Sequence, residues 1–356
     1  MYSRKLMVII TLILSLLAGV VMDGNAASGS RVGTTAAYFL EFGYNTIGNA
    51  MGEAGATNAQ DLSALYWNPA ALGYLDRHEV QVNYLPWILD INSSYVGAGF
   101  VHPNMGNFAV SFFRTGYGEE EVTTTARQDG TGEKYDGQDL SFSVSYGRKL
   151  AQWFSFGATA KYINSRIWHE SASAFAVDLG AIVNTWFFNW TNKPGDGLNI
   201  GMSISNYGTR LKYEGIDLKE TIDVDPNNNG NYAYIPTMLE TSEWELPLIA
   251  RIGLSINPLV TEKQRITLAA DFLHANNSEE YVNVGGQYQI TFPTFGKFAL
   301  RGGYKGLFLE DSEFGATFGF GLQINYLGNK ALKIDYAYRD TGLLGTMHSY
   351  SLGFLF

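Results

Sequence analysis

The chain has 356 residues, with 40 Gly, 22 Tyr, 22 Phe and 7 Trp against only 16% charged residues, a balance poor for helices and suited to strands. No cysteine is present, which excludes a disulfide framework and thiolate metal sites while leaving the compartment open. The formal charge of −10, with nothing basic clustered, argues against a nucleic-acid partner, because that role needs a basic face.

At the start, Arg4 and Lys5 precede an apolar run from Leu6 to Met22, and small residues follow in "DGNAASGS". That order of charge, grease and small residues predicts a signal peptide over 1–26, cleaved after Ala26. The rival reading is a membrane anchor, but the run sits at the short edge of a spanning helix, and no other stretch approaches the roughly 18 continuous apolar residues that a spanning helix needs. If the mature chain meets a membrane, it does so as strands.

Residues 27–76 come before the first convincing strand and read as short helices, "AAYFLEFGYNTIGNAMG" and then a turn at "DLSALYWNPAALGYL". Asp61 or Ser63 suits an N-cap, and Pro69 suits the first turn of a helix, where its missing N–H costs nothing.

From residue 77 onward the pattern is strand. In "LSFSVSYG", Leu140, Phe142, Val144 and Tyr146 share one face and Ser141, Ser143, Ser145 and Gly147 the other. "FGATFGFGLQINYL", "LNIGMSIS", "WFSFGATAKY" and "YVNVGGQYQITF" repeat the period. A soluble sandwich also alternates, so segment length and the second face decide. The longer runs match a tilted strand crossing a bilayer, which needs roughly 9–11 residues, rather than the roughly 5–6 usual in soluble sheets. Their second face of Ser, Gly, Thr, Asn and Gln is too small for a solvated surface rich in Lys and Glu. These features predict an all-β fold, a fourteen-stranded antiparallel transmembrane barrel with lipid outside and a polar lumen.

The strands are expected near 78–87, 93–102, 106–115, 138–149, 152–164, 173–187, 197–208, 244–257, 264–275, 280–292, 296–308, 313–327, 330–340 and 346–356. The second is the least clear, since Tyr95, Val96, Ala98 and Phe100 do not choose a face. An even count brings both termini to one side, the periplasm of a bacterial outer membrane. "HPNMG", "KLAQ", "NPLVTEKQ", "PTFG" and "LGNK" then form short periplasmic turns and "WTNKPGDG" a longer one, whereas 116–137 and 209–243 fall on the extracellular side. Both long loops are acidic, with six Asp/Glu against two Lys/Arg and seven against three, which either disfavours anionic partners there or marks the loops as solvated covers. Trp153, Trp186, Trp190 and Trp244 are candidates for the interfacial belts. At the end, Tyr350, Leu352, Phe354 and Phe356 lie on one face, an aromatic close that resembles the insertion signal read by the barrel-insertion machinery.

A barrel of fourteen strands is wider than the eight-stranded kind that its own side chains fill. The amino-terminal segment is therefore expected to fold back as a helical or irregular plug inside the lumen, with Tyr66, Trp67, Asn68, Pro69 and Ala70 wedged against the wall and Gly48, Gly52 and Gly55 permitting close packing. A lead-in that only caps the mouth is the blander alternative. At "IGNAMGEAGATNAQDLSALYWNPAALGYL" and at "KIDYAYRDTGLLGTMHSYSLGFLF" the chain resembles the PorV/PorQ group of outer-membrane proteins, relatives of the FadL long-chain fatty-acid transporters. Where that group often has two adjacent acidic residues, this chain has Gln60-Asp61. The resemblance implies a fourteen-strand FadL-like barrel. It implies either a type IX secretion role, with a translocon or cargo domains as partners, or passage of hydrophobic small molecules through a plugged lumen. An open porin is a third option.

Alternation predicts that Lys161, Asp178, Arg251, Asp271, Arg301, Lys305, Lys333, Asp335 and Arg339 face the lumen, to line a path or to pair with one another and the plug. "DPNNNG" offers Asp225, Asn227 and Asn229 in the opening of a calcium loop, yet Pro236 stands where a bidentate Glu is expected, which favours an ordinary turn. His78, His102, His169, His274 and His348 are dispersed with no nucleophile spacing, which disfavours an enzyme, and nothing calls for a cofactor. If residues 32–76 block the lumen, deleting them raises conductance in planar bilayers, and unchanged conductance argues against a plug.

Overall fold

The structure is a computed structural model that describes residues 33–58, 61–191, 193, 195–225, 227, 234–309, 312–326 and 328–356. The expected signal peptide lies outside the described residues. In chain order the strands are β1 (Glu79–Pro86), β2 (Asn92–Phe100), β3 (Asn107–Glu121), β4 (Lys134–Ala151), β5 (Phe154–Ile167), β6 (Glu170–Asn184) and β7 (Asn199–Gly208). The short β8 (Glu214–Gly215), β9 (Lys219–Ile222) and β10 (Ile235–Met238) follow. Then come β11 (Ile249–Val260), β12 (Gln264–Ala275), β13 (Tyr281–Phe292), β14 (Gly296–Leu307), β15 (Ala316–Tyr326), β16 (Lys330–Asp340) and β17 (Thr346–Leu355). Fourteen of them, β1–β7 and β11–β17, form one antiparallel cylinder, closed where β1 pairs with β17 from Glu79↔Leu355 to Tyr84↔Tyr350. β8 pairs with β6 beside the cylinder, and β9 pairs with β10 in a separate two-stranded hairpin.

The period-2 pattern builds this wall directly. On β4, Ser141, Ser143 and Ser145 are buried inside while Phe142 and Val144 are exposed outside, where only hydrocarbon accepts such a face. The inner serines and threonines satisfy one another across strands: Ser111 with Ser143 at 2.6 Å, Ser145 with Thr159 at 2.8 Å and Ser93 with Thr115 at 2.8 Å. The expected fourteen crossings are all present, with differences at their ends. β3 and β4 keep pairing past a register shift between Gly116 and Glu119, up to Glu121↔Lys134. There the apolar marker is missing because both faces stand clear of the hydrocarbon. β11 starts at Ile249 rather than 244, since Trp244 bridges Leu211 within the preceding loop.

The even count returns Glu79 and Phe356 to one end of the barrel, here called the near end; the connections 122–133, 209–248 and 276–280 lie at the far end. The described chain nevertheless begins at the far end. The Ala36 N–H donates to the Glu245 carbonyl at 2.9 Å, and Asn277 donates to Thr35 at 2.8 Å. Residues 33–58 and 61–76 then run through the lumen, with short helical turns at Tyr38–Glu41, Thr46–Ala50, Leu62–Tyr66 and Pro69–Tyr74, to enter β1 at the near end. Strand count fixes where the barrel's own ends lie, not where a segment threaded through it starts.

A cation on the lipid face tests the orientation of the wall. Val144→Arg is expected to cost about 2–4 kcal/mol, the usual penalty near the bilayer midplane. The measurement is urea unfolding of the barrel in lipid vesicles, followed by the heat-modifiable band.

Candidate functional site: the plugged lumen

Local sequence shapes the plug before the wall holds it. Each of its later turns starts on a side-chain cap: Asn45 accepts from the Gly48 N–H, Asp61 from the Ala64 N–H at 3.0 Å and Asn68 from the Ala70 N–H at 3.0 Å. Pro69 occupies the first position of its turn, as its lack of an N–H favours. Trp67 is 0% exposed. Its ring is cradled by Gly43, Gly48 and Gly55, where a Cβ would come within 2.9, 2.3 and 2.4 Å of it. Its Nε1–H donates to Asn45 Oδ1 at 3.1 Å, and Asn45 in turn donates to Asp61 at 2.9 Å and Ser63 at 2.6 Å. The irregular aromatic segment is thus the plug's own keystone.

Toward the far end the lumen is filled by an aromatic core. Tyr44 stacks on Tyr95 with ring centroids 4.3 Å apart, Phe39 stacks on Phe113 at 5.7 Å, and Tyr66 meets Trp67 edge-on at 4.5 Å. Tyr95 therefore faces inward, at 0% exposure. This settles the face of β2, whose inner positions also include Gly97 and Gly99 packed against Leu62. Aromatic content misleads on that strand because the apolar partner is the plug rather than lipid.

The wall grips the plug backbone along its length. Asp271 accepts from the Gly55 and Ala56 N–H groups at 2.8 and 2.7 Å. Thr317 accepts from the Gly52 N–H at 2.8 Å and donates to the Ala50 carbonyl at 3.2 Å. Gln81 accepts from the Ser63 N–H at 2.9 Å, Ser203 donates to the Trp67 carbonyl at 2.7 Å, and Ser155 donates to the Ala70 carbonyl at 2.8 Å. Asn68 donates to the Ala56 and Ala181 carbonyls at 2.9 and 3.0 Å. The plug comes this close because wall strands present glycine at the contact. A Cβ on Gly303 would lie 2.4 Å from the Gly52 nitrogen, and one on Gly157 would lie 2.3 Å from the Pro69 carbonyl oxygen.

The lumen charges fall into two kinds. Three pairs are internal to the wall: Lys161 with Asp178 at 2.6 Å, Arg301 with Asp335 at 2.7 Å and Lys333 with Glu79 at 3.1 Å. The others meet the plug. Lys305, at 3.0 Å, and Arg339 converge on the buried Glu53, and the Arg251 guanidinium lies over the Tyr66 and Trp67 rings at 5.3 and 5.6 Å. Residues 33–76 contribute Glu41, Glu53, Asp61 and Asp76 and no Lys or Arg. Alternation along β1 carries the signal for Glu79, but nothing local marks Glu53.

Two cavities lie on the near-end side of the plug. One, of about 310 Å³, has Leu62, Leu65, Leu72 and Leu75 on the plug side and Lys297, Arg301 and Lys333 on the wall. The other, of about 390 Å³, is lined by polar groups such as Asn58, Asn184, Asn199, Asn257 and Thr267. Arg265, paired with Asp196 at 2.8 Å, and Tyr74 border both.

Other candidate residues stay apart. Trp153, Trp186 and Trp190 are exposed at the near end and Trp244 at the far end. Tyr350 and Leu352 point outward on β17, and the Phe356 N–H closes on the His78 carbonyl at 3.0 Å. Asp225 and Asn227 lie in the far loop, with Asn229 outside the described residues. Among the described residues, no group of three or more His, Asp or Glu is placed to hold a metal. His169 and His274 pair with the exposed Asp217 and Glu280 at the far rim.

Residues 25–237 match the family described as Type IX secretion system protein PorV. No curated protein matches the chain in sequence. Among solved structures the fold is similar to the Pseudomonas putida toluene transporter TodX (TM-score 0.56, 10% identity, 88% of this chain and 98% of that one). It is also similar to the monoaromatic hydrocarbon channel CymD (0.54, 9%, 88% and 96%) and to the Ralstonia pickettii toluene transporter TbuX (0.53, 10%, 88% and 97%). At such identities the likeness establishes the barrel fold.

Glu53→Gln leaves Lys305 and Arg339 buried without their shared carboxylate, a loss of about 3–5 kcal/mol. Hydrogen exchange is expected to speed up over residues 44–58 while the barrel strands keep their protection. Gly303→Val is expected to displace the same stretch of plug by steric contact, read by the same exchange pattern.

Proposed function

Since the chain belongs to the PorV family, and its fold is that of an outer-membrane barrel, we propose that it acts as an outer-membrane partner in protein secretion or surface attachment. The observation that carries this reading is the filled lumen. Phe39, Tyr44, Tyr66 and Trp67 occupy, together with Tyr95 and Phe113, the space that a solute crossing the barrel would traverse. A plug held by backbone hydrogen bonds from many strands suits a rigid surface on which other proteins assemble better than a channel that opens for each passing molecule.

In this reading the near end faces the periplasm and the far end the exterior, because most of the shortest turns gather at the near end and the longest connection, 209–248, lies at the far end. The acidic hairpin extension of β3 and β4 and the 209–248 connection are then the parts offered to partners.

A second reading, a conduit for long-chain fatty acids or other hydrophobic compounds, draws on the 310 Å³ cavity. Its leucines and neighbouring lysines suit an amphiphile with an acidic head. The two readings part in a pull-down from native membranes with an affinity tag placed in the 122–133 connection. Secretion predicts co-purification of a large translocon or of cargo domains. Recovery of the barrel alone, together with uptake of a labelled fatty acid by reconstituted vesicles, would favour the conduit. Surface labelling of the same tag on intact cells is expected to succeed, and labelling only after cell lysis would reverse the assigned orientation.

A further inference from the structure

We propose that the lumen wall is an anion-selective path and that the plug is its resident blocker, seated partly by charge. The warrant is how the wall's charges are partnered. Lys161–Asp178, Arg301–Asp335 and Lys333–Glu79 are pairs within the wall and stay neutral whatever the plug does. Lys305 and Arg339, from β14 and β16, have Glu53 of the plug as their shared carboxylate, and Arg251 of β11 rests on plug rings. Against these three cations the wall sets Asp271, which is itself turned to plug N–H groups, and, toward the far end, Asp139, which accepts from Tyr117 and Ser165.

The plug, which has no Lys or Arg, sets Glu53 against these cations, while Glu41 and Asp61 accept from neutral side chains and Asp76 is exposed at the near end. When the plug shifts, Lys305 and Arg339 lose their counter-charge together and face the opened space. Fixed cations lining a pore attract anions and repel cations. The acidic far-end loops pull the other way, and a variant that changes only the lumen cations separates their share from that of the loops. The inference is independent of the secretion reading: it concerns what the lumen selects once opened, whichever partner or condition opens it.

The test uses the full-length protein in planar bilayers under a potassium chloride gradient centred on about 0.1 M, where the Debye length is about 10 Å and fixed lumen charges still act, with urea added stepwise at the near side to loosen the plug. Openings are expected whose reversal potential is displaced toward the chloride equilibrium potential. The double variant Lys305→Gln/Arg339→Gln is expected to open at lower urea and to lose most of that displacement. A wild-type reversal potential at zero or displaced toward potassium would overturn the proposal, as would an unchanged displacement in the double variant. A protein that stays closed until its heat-modifiable band disappears would also overturn it, because the plug would then not be displaceable from an intact barrel.

Discussion

A peptide N–H or C=O left unpaired in hydrocarbon costs several kcal/mol, and that one penalty organises the molecule. Strands cross a bilayer only if their sheet has no edge, so β1 must find β17 and the wall must close. Closure sorts the alternating side chains, sending Phe142 and Val144 to lipid and the serines beside them to an interior shared with every other strand. With fourteen strands that interior is too wide for the wall's own residues to fill.

The plug answers a problem that closure creates, and it meets the same penalty. Its irregular backbone sits at membrane depth, where each polar group needs a partner, and the wall supplies Asp271, Thr317, Gln81, Ser155 and Ser203 from different strands. Backbone-to-wall bonding requires close approach, which explains glycine at the points of contact. Charge follows the same logic. An acidic plug inside a wall with cations to spare lets buried groups neutralise across the interface, which a plug of mixed charge would do less selectively.

These constraints bear on how the family's fold is used. The toluene transporters share the barrel at about a tenth of identical positions, so what separates one barrel's task from another's is the content of the lumen and the rims. Here aromatic rings of plug and wall interlock toward the far end, and two cavities lie toward the near end. That arrangement gives the barrel an aromatic filling toward one end and cavities toward the other.

How much of this was legible follows from the range of each signal. Strand alternation is local, and its period survives in any short window, so the fourteen crossings and the closed antiparallel wall could be read from the chain alone. The same rule misplaced nothing on β4 but could not orient Tyr95, whose apolar neighbour, Tyr44, belongs to a different element. Glu53 looked like one more residue in a small-residue run. Its meaning lies in Lys305 and Arg339, 252 and 286 residues away, which only folding brings to it. The entry of the described chain at the far end was likewise invisible, because strand parity says where a barrel begins and ends but nothing about a segment threaded through it. Sequence by itself determined the wall, since one periodicity and one solvent suffice to specify it; tertiary structure decided the lumen, since its contents are pairings between distant segments that no local pattern encodes.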